Sequence, residues 1–141
     1  MKIFICGSMH FAREMLEAQK KLKEMGHIAE APCDTQEFVD DCENTTDNHE
    51  ENCNWCIDND IIRKCFNSIA ESDAVLLLNH SKNGVNGYIG ASSLMEAGLA
   101  YYLKKKIFLL YQPPPPQEVK SSHEILIMQP TILNGDLNLI S

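Results

Sequence analysis

The stretch Ser72-Asp73-Ala74-Val75-Leu76-Leu77-Leu78 decides the fold. Ser72 and Asp73 are polar, and an unbroken apolar run follows them from Ala74 to Leu78. Such a run is typical of a strand that is covered on both faces. It therefore predicts the central strand of a buried sheet.

The residues at the start of the chain predict a β-α-β unit. A short apolar run over 3–6 stops at Gly7-Ser8, and Gly26 and Pro32 mark the ends of the next helix and strand. The strand predicted between them covers 27–31. The helix carries apolar residues at helical spacing, namely Phe11, Met15, Ala18, Leu22 and Met25.

The rest of the chain continues the alternation of strands and helices. Four prolines at 113–116 lead the chain out of the sheet, because they lack amide donors. The further elements predicted are a helix over about 54–71, a loop over 79–90, a helix from about 90–93 to the lysines at 104–106, which favour its dipole, a strand over 107–111, a helix over 122–128 and a strand over 131–133. Alternation of this kind predicts an α/β fold with three layers (α/β/α) and a doubly wound, mainly parallel, five-stranded sheet of the flavodoxin or Rossmann type.

Length and charge limit the partners. The 141 residues predict a single domain over 1–141, with an acidic insertion at about 34–60 that contains no lysine or arginine. A net charge of -8 weighs against a nucleic acid polymer or an anionic membrane as partner and favours a small molecule. The chain opens on a strand-like segment and not on a signal peptide, so we expect a cytoplasmic protein with reduced thiols.

Three segments should meet at the carboxyl edge of the sheet, where ligands of such folds bind. They are Gly7-Ser8, the glycine- and asparagine-rich loop over 83–90, and the helix start that carries Glu96. Gly7 permits close approach of the backbone and Ser8 can cap a helix or donate its hydroxyl, although a plain capped turn explains both residues. Glu96 lies among apolar neighbours, so it is either a nucleophile or general base, or an ordinary exposed glutamate.

Several of these motifs together resemble a known family. The runs Ile3-Phe4-Ile5-Cys6-Gly7-Ser8, Ser72-Asp73-Ala74-Val75, Gly90 to Ala100 and Lys105-Lys106-Ile107 look like the nucleoside 2-deoxyribosyltransferase superfamily, which includes the 2'-deoxynucleoside 5'-phosphate N-hydrolases. Their order and spacing agree over about residues 2–112. The tail over 132–137 resembles the end of microbial members of the superfamily.

The resemblance implies an activity and a set of site residues. Glu96 matches the family nucleophile, which attacks the anomeric carbon of a deoxyribosyl group and forms a covalent glycosyl ester. Transfer to water would make the protein a hydrolase, and transfer to a second base a transferase. No cofactor or metal is implied, and a homodimer or higher homo-oligomer is expected. The substrate-binding positions that match are Gly7, Ser8, Arg13, Gly90, Ser92 and Ser93; Tyr88 joins them because its loop borders the cleft and its ring can stack on a base.

The sequence departs from the family at Cys65. The family carries an aspartate there, which orients the substrate or protonates the leaving base, and a thiol cannot do the same work. Asp58 or Asp60, one or two turns upstream, are possible substitutes. Two alternatives follow: a non-catalytic nucleotide-binding or sensor domain of the same fold, and an oligomeric protein whose helices mainly make subunit contacts.

The remaining polar clusters have weaker signals. Cys53 and Cys56 have the spacing found in zinc sites, with Cys42 and His49 nearby, but a second such pair is missing and no metal site is predicted. Tyr101 and Tyr102 are more often core or subunit contacts than base-stacking residues. The remaining candidates for a role near a cleft are His10, His80, Asn134 and Asp136.

Overall fold

The computed structural model describes residues 1–40 and 49–141 and confirms the predicted fold class. In these residues the sheet has five strands, all of them parallel, in the order β2-β1-β3-β4-β5. The strands are β1 (Lys2–Cys6), β2 (Ile28–Glu30), β3 (Ala74–Leu77), β4 (Lys106–Leu109) and β5 (Thr131–Ile132).

Helices connect the strands and cover both faces of the sheet. None of the helices in the described ranges is both long and apolar enough to cross a membrane. They are α1 (Ala12–Glu24), α2 (Thr35–Asp40), α3 (His49–Asp58), α4 (Ile61–Ala70), α5 (Ala91–Tyr102) and α6 (Ser122–Ile127), with short 3-10 helices at Met9–Phe11 and Leu137–Leu139.

Strand β1 divides its side chains between two apolar cores, because successive residues of a strand point to opposite faces. Ile3 and Ile5 pack in the core that contains the apolar face of α1 and the C-terminal residues. Phe4 and Cys6 pack in the other core, with residues of α4, α5 and α6. Cys6 therefore lies on the face of the sheet that α4 and α5 cover.

The strand order reverses between β1 and β3. The chain runs from β1 outward to β2, and then returns to β3 on the other side of β1. A reversal of this kind opens a crevice at the carboxyl ends of the two strands, and ligands of doubly wound folds bind there. Cys6 pairs with Leu77 at that end, while Asp73 Oδ2 accepts a hydrogen bond of 2.7 Å from the Lys2 amide at the other.

Two predictions about helices are wrong. The helix expected over 54–71 is two helices, because Asp60 takes a left-handed conformation with φ of 50° between α3 and α4. Helix α5 ends at Tyr102, so the lysines do not occupy its last turn: Lys104 has φ of 55° and Lys106 begins β4. The acidic insertion contributes α2 and α3, and its residues 41–48 lie outside the described part.

Candidate functional site

Glu96 is buried on the inner face of α5. The helix begins after Gly90, whose extended backbone (φ −79°, ψ 171°) directs the chain into its first turn. Ser93, Ala97 and Ala100 lie three or four residues from Glu96 or from each other, so they share its face and are buried with it. Only 9% of Glu96 is exposed, which makes it unlike an ordinary surface glutamate.

The surroundings of Glu96 hold its carboxyl group near the point of ionisation at neutral pH. Burial raises the pKa of Glu96 to about 7, and a hydrogen bond from the Cys6 thiol partly offsets that rise. Glu96 Oε2 is buried and has no hydrogen-bond partner among the described residues. A buried oxygen without a partner is unfavourable, and such groups are common where a ligand or a proton completes a site.

Two thiols lie beside this carboxyl group. Burial raises the pKa of Cys6 well above its ordinary value, and it raises the pKa of Cys65 to about 12. The charge of Glu96 acts in the same direction on both thiols. Because both thiols stay protonated at neutral pH, they are neutral neighbours of the carboxylate and not competing nucleophiles.

The turn after β1 forms one wall of the crevice. Ser8 caps the first 3-10 helix: its Oγ accepts a hydrogen bond of 3.3 Å from the His10 amide. A Cβ at Gly7 would lie 3.0 Å from Met15 Cε, so Gly7 lets α1 pack closely against this turn. Arg13, the second residue of α1, is exposed.

The loop over 79–90 contacts this turn and carries a residue that the sequence analysis missed. Lys82 Nζ donates a hydrogen bond of 3.1 Å to Ser8 Oγ and lies 5.1 Å from the centre of the Tyr88 ring. The Tyr88 ring in turn lies beside Gly90, since a Cβ there would be 3.5 Å from Tyr88 Cε1. Lys82 was detectable as a cation in a loop that leaves the carboxyl end of the central strand.

The same loop is attached to the segment that follows β4. Buried Asn79 donates a hydrogen bond of 2.7 Å to the Tyr111 carbonyl and accepts one of 2.9 Å from the Tyr111 amide. Gly87 has φ of +71°, and a Cβ there would overlap the Gln112 carbonyl oxygen. The loop therefore has a fixed position over the crevice.

The serines at the start of α5 differ in exposure. Ser92 is exposed and Ser93 is buried on the side of Glu96. The predicted positions Gly7, Ser8, Tyr88, Gly90 and Ser93 thus belong to the two walls and the helix start that surround the carboxyl ends of β1 and β3.

Other candidates lie elsewhere. Asp58 is exposed, and Asp60 is exposed and pairs with Arg63 Nε at 3.0 Å, so neither shares the buried environment of Cys65 and Glu96. Tyr101 and Tyr102 are exposed and line a cavity of about 800 Å³ beside Lys106, at the amino end of β4. His10, Asn134 and Asp136 are exposed, and His80 packs edge-on against Phe11 and Tyr111.

The cysteines of the acidic insertion give no metal centre within the described ranges. Cys53 is exposed and Cys56 is half-buried, while Cys42 lies outside the described residues. Across residues 1–40 and 50–141, no three histidine, cysteine, aspartate or glutamate side chains are arranged to hold a metal ion.

Comparisons with known proteins add a fold neighbour. No family model and no curated protein match the sequence. A solved structure of the Clostridium botulinum CMP N-glycosidase BcmB is similar to this chain, with a TM-score of 0.47 and 15% sequence identity. The similarity covers 94% of this chain and 85% of that chain. Membership of the deoxyribosyltransferase superfamily stays a prediction from the motifs.

Proposed function

We propose that this protein cleaves the N-glycosidic bond of a nucleoside or nucleotide, with Glu96 as the nucleophile. The observation that carries the proposal is the state of the Glu96 carboxyl group. It is buried at the switch point of the sheet, it has an unpartnered Oε2, and its pKa is about 7. A carboxylate in this state is suited to attack at an anomeric carbon.

The reaction proceeds in two steps, as in retaining glycosidases. Glu96 Oε2 forms a bond to C1′ of the sugar, the C1′–N bond breaks, and its electron pair leaves with the base. Water then attacks C1′ of the glycosyl ester, the C1′–Oε2 bond breaks to release the sugar and the Glu96 carboxylate, and the proton lost by the water neutralises the departed base. A second base in place of water would give transfer instead of hydrolysis.

The walls of the crevice support a nucleotide more than a nucleoside. The Lys82 ammonium and the Ser8 hydroxyl are suited to bind a 5′-phosphate, and Tyr88 offers a ring for contact with the sugar or base. Lys82 supplies a local positive charge in a chain whose net charge is -8. A phosphate is the ligand group that this charge favours.

A second candidate function is a nucleotide sensor with the same cleft and no catalysis. The observation that favours it is Cys65, a neutral thiol at the position where the family carries its aspartate. Binding without base release would then raise the melting temperature of the protein.

The test is a panel of nucleosides and their 5′-monophosphates, with free base measured by chromatography. The Glu96→Gln variant keeps the size of the side chain and removes the carboxylate, and Glu17→Gln, at an exposed position of α1, is the matched control. We expect base release from the wild type and from Glu17→Gln, and a loss of at least about a thousandfold in Glu96→Gln.

A 2-fluoro-arabinosyl nucleotide tests the covalent step. The fluorine slows breakdown of the ester, so mass spectrometry should find one added sugar phosphate, and peptide mapping should assign it to Glu96. Base release that survives in Glu96→Gln would contradict the role of Glu96. Stabilisation by a nucleotide without base release would favour the sensor.

A further inference from the structure

A second cavity lies at the edge of the sheet opposite the crevice. It has a volume of about 800 Å³ and lies beside Lys106, the first residue of β4, whereas Cys6 and Leu77 mark the carboxyl ends that border the crevice. Its volume is within the range of small-molecule sites in proteins. The reaction proposed for Glu96 does not use this cavity, so its lining requires a separate explanation.

The lining of this cavity combines buried apolar side chains with exposed aromatic and cationic ones. Ile107 and Phe108 of β4 are buried, and Tyr101 and Tyr102 at the end of α5 are exposed. None of the described residues that line the cavity is an aspartate or a glutamate. The cavity therefore offers apolar and aromatic surface together with positive charge, and no acidic side chain opposes that charge in its lining.

Three consecutive lysines supply the positive charge. Lys104, Lys105 and Lys106 all line the cavity, in a chain whose net charge is -8. Lys105 Nζ donates a hydrogen bond of 2.8 Å to the Ala70 carbonyl, and Lys106 Nζ donates one of 2.8 Å to the Ser141 backbone oxygen. The Lys104 ammonium has neither a hydrogen bond nor an ion pair in the described part of the chain. Its charge is available to a ligand.

Two residues of the lining have a backbone conformation that their side chains disfavour. Lys104 and Gln129 follow the C-caps of α5 and α6 and have φ of 55° and 54°. Glycine is the usual residue at this position after a helix, because a Cβ is disfavoured in the left-handed region. The other described non-glycine residues with positive φ are Asp60, Asn83 and Asn134, and these types tolerate it better. The two less suited side chains thus line the same cavity, which indicates a role there and not in the turns.

We propose that this cavity is a second ligand site, for an anion that joins a planar ring to a phosphate group, as a nucleotide does. The Lys104 ammonium bonds to a phosphate oxygen, and Lys106 adds its positive charge. The rings of Tyr101 and Tyr102 contact the planar ring of the ligand, beside the apolar surface of Ile107. A carboxylate ligand gains less, because it carries less charge than a phosphate. The site is independent of the chemistry at Glu96.

The test titrates three compounds into the protein and follows the backbone amides by NMR. Formycin 5′-monophosphate has a planar ring, a phosphate and a carbon–carbon glycosidic bond, so an N-glycosidase cannot cleave it. Formycin lacks the phosphate, and inorganic phosphate lacks the ring. We expect the monophosphate to shift the amides of 101–106 and 128–131, and to bind there at least about tenfold more tightly than either of the other compounds.

Lys104→Gly separates a role in binding from a role in the fold. The variant removes the ammonium group and relieves the left-handed strain, so we expect the Kd of the monophosphate at this cavity to rise about tenfold while the Tm of the free protein also rises. Asn134→Gly is the matched control, because Asn134 has φ of 51° and does not line the cavity. It should leave this Kd unchanged.

Several results would overturn the proposal. Shifts confined to the amides of 7–8 and 79–90 would restrict ligand binding to the crevice. An unchanged Kd in Lys104→Gly, or a higher Kd together with a lower Tm, would assign Lys104 to the turn and not to a ligand. Sedimentation that shows self-association lost in Tyr102→Ser would assign the cavity to a contact between copies. Failure of base release at Glu96 changes none of these measurements, since the probe is not a substrate.

Discussion

Lys82 Nζ lies 3.1 Å from Ser8 Oγ, so the loop after β3 closes onto the turn after β1. These two segments leave adjacent parallel strands at the point where the strand order reverses. Their contact places a cation and a hydroxyl at the carboxyl ends of β1 and β3, the edge of the sheet at which Glu96 contacts Cys6. The pair is therefore expected to discriminate between ligands with and without a phosphate.

Replacing Lys82 should weaken nucleotide binding selectively. Lys82→Met keeps most of the side-chain length and removes the charge, so we expect KM for a 5′-monophosphate to rise about tenfold, as the loss of one charged hydrogen bond implies. KM for the corresponding nucleoside should change little. Lys120→Met, at an exposed position, is the control. An equal rise for both ligands would mean that Lys82 acts by holding the loop and not by binding phosphate.

The ionisation of Glu96 should appear in the stability of the protein. Its pKa in the folded state is about 7 against 4.5 for a free glutamate, so the folded protein loses stability as pH rises from about 4.5 through about 7. Glu96→Gln cannot ionise. The free energy of unfolding of the variant should rise by roughly 3 kcal/mol relative to that of the wild type over that range. Above that range the difference should stay constant.

Urea denaturation at several pH values measures this difference. The exposed Glu17→Gln variant supplies the baseline. A constant difference between Glu96→Gln and wild type from pH 4 to 8 would mean that the carboxyl group ionises in the folded protein much as it does in water.

The Cys6 thiol should help to determine the pH at which kcat/KM rises on the acid side of its pH profile. Its hydrogen bond lowers the pKa of Glu96 against the effect of burial. Cys6→Ala removes that bond, so the rise of kcat/KM with pH, expected near pH 7 in the wild type, should move to higher pH. Cys53→Ala, at an exposed position, should leave the profile in place. If the rise of kcat/KM occurs at the same pH in Cys6→Ala as in the wild type, the thiol does not affect the ionisation of Glu96.

Asn79 should contribute strongly to stability. Asn79→Ala leaves the Tyr111 amide and carbonyl without the partners that they have at 2.9 and 2.7 Å, and we expect a loss of about 2–4 kcal/mol. Asn54→Ala, on the exposed surface of α3, should change stability by less than about 0.5 kcal/mol. The free energy of unfolding in urea provides the measurement. A small loss in Asn79→Ala would show that solvent replaces both bonds.

Much of the fold could be predicted because its signals are local. The apolar run at 74–78 and the spacing of Met15, Ala18 and Leu22 report burial directly, and both segments are buried as expected. The break at Asp60 was not predictable in this way. Apolar spacing continued from Ile57 through Ile61, yet Ile57 is 67% exposed, and the left-handed turn depends on how α3 and α4 pack.

The site was predictable only where one residue type stands out. Glu96 was identified because a carboxylate among apolar residues is unusual, but its contact with Cys6 joins residues that are far apart in sequence.

The lack of space at Gly87 affects how any set of related sequences should be read. Because a side chain there would overlap the Gln112 carbonyl, substitution at this position would detach the loop before it altered any chemistry. Related sequences that keep this loop should therefore retain glycine at position 87 as strictly as they retain glutamate at position 96. Positions around the crevice will therefore be invariant for steric as well as for catalytic reasons. Intolerance of substitution at Gly87 does not by itself show that Gly87 takes part in the reaction.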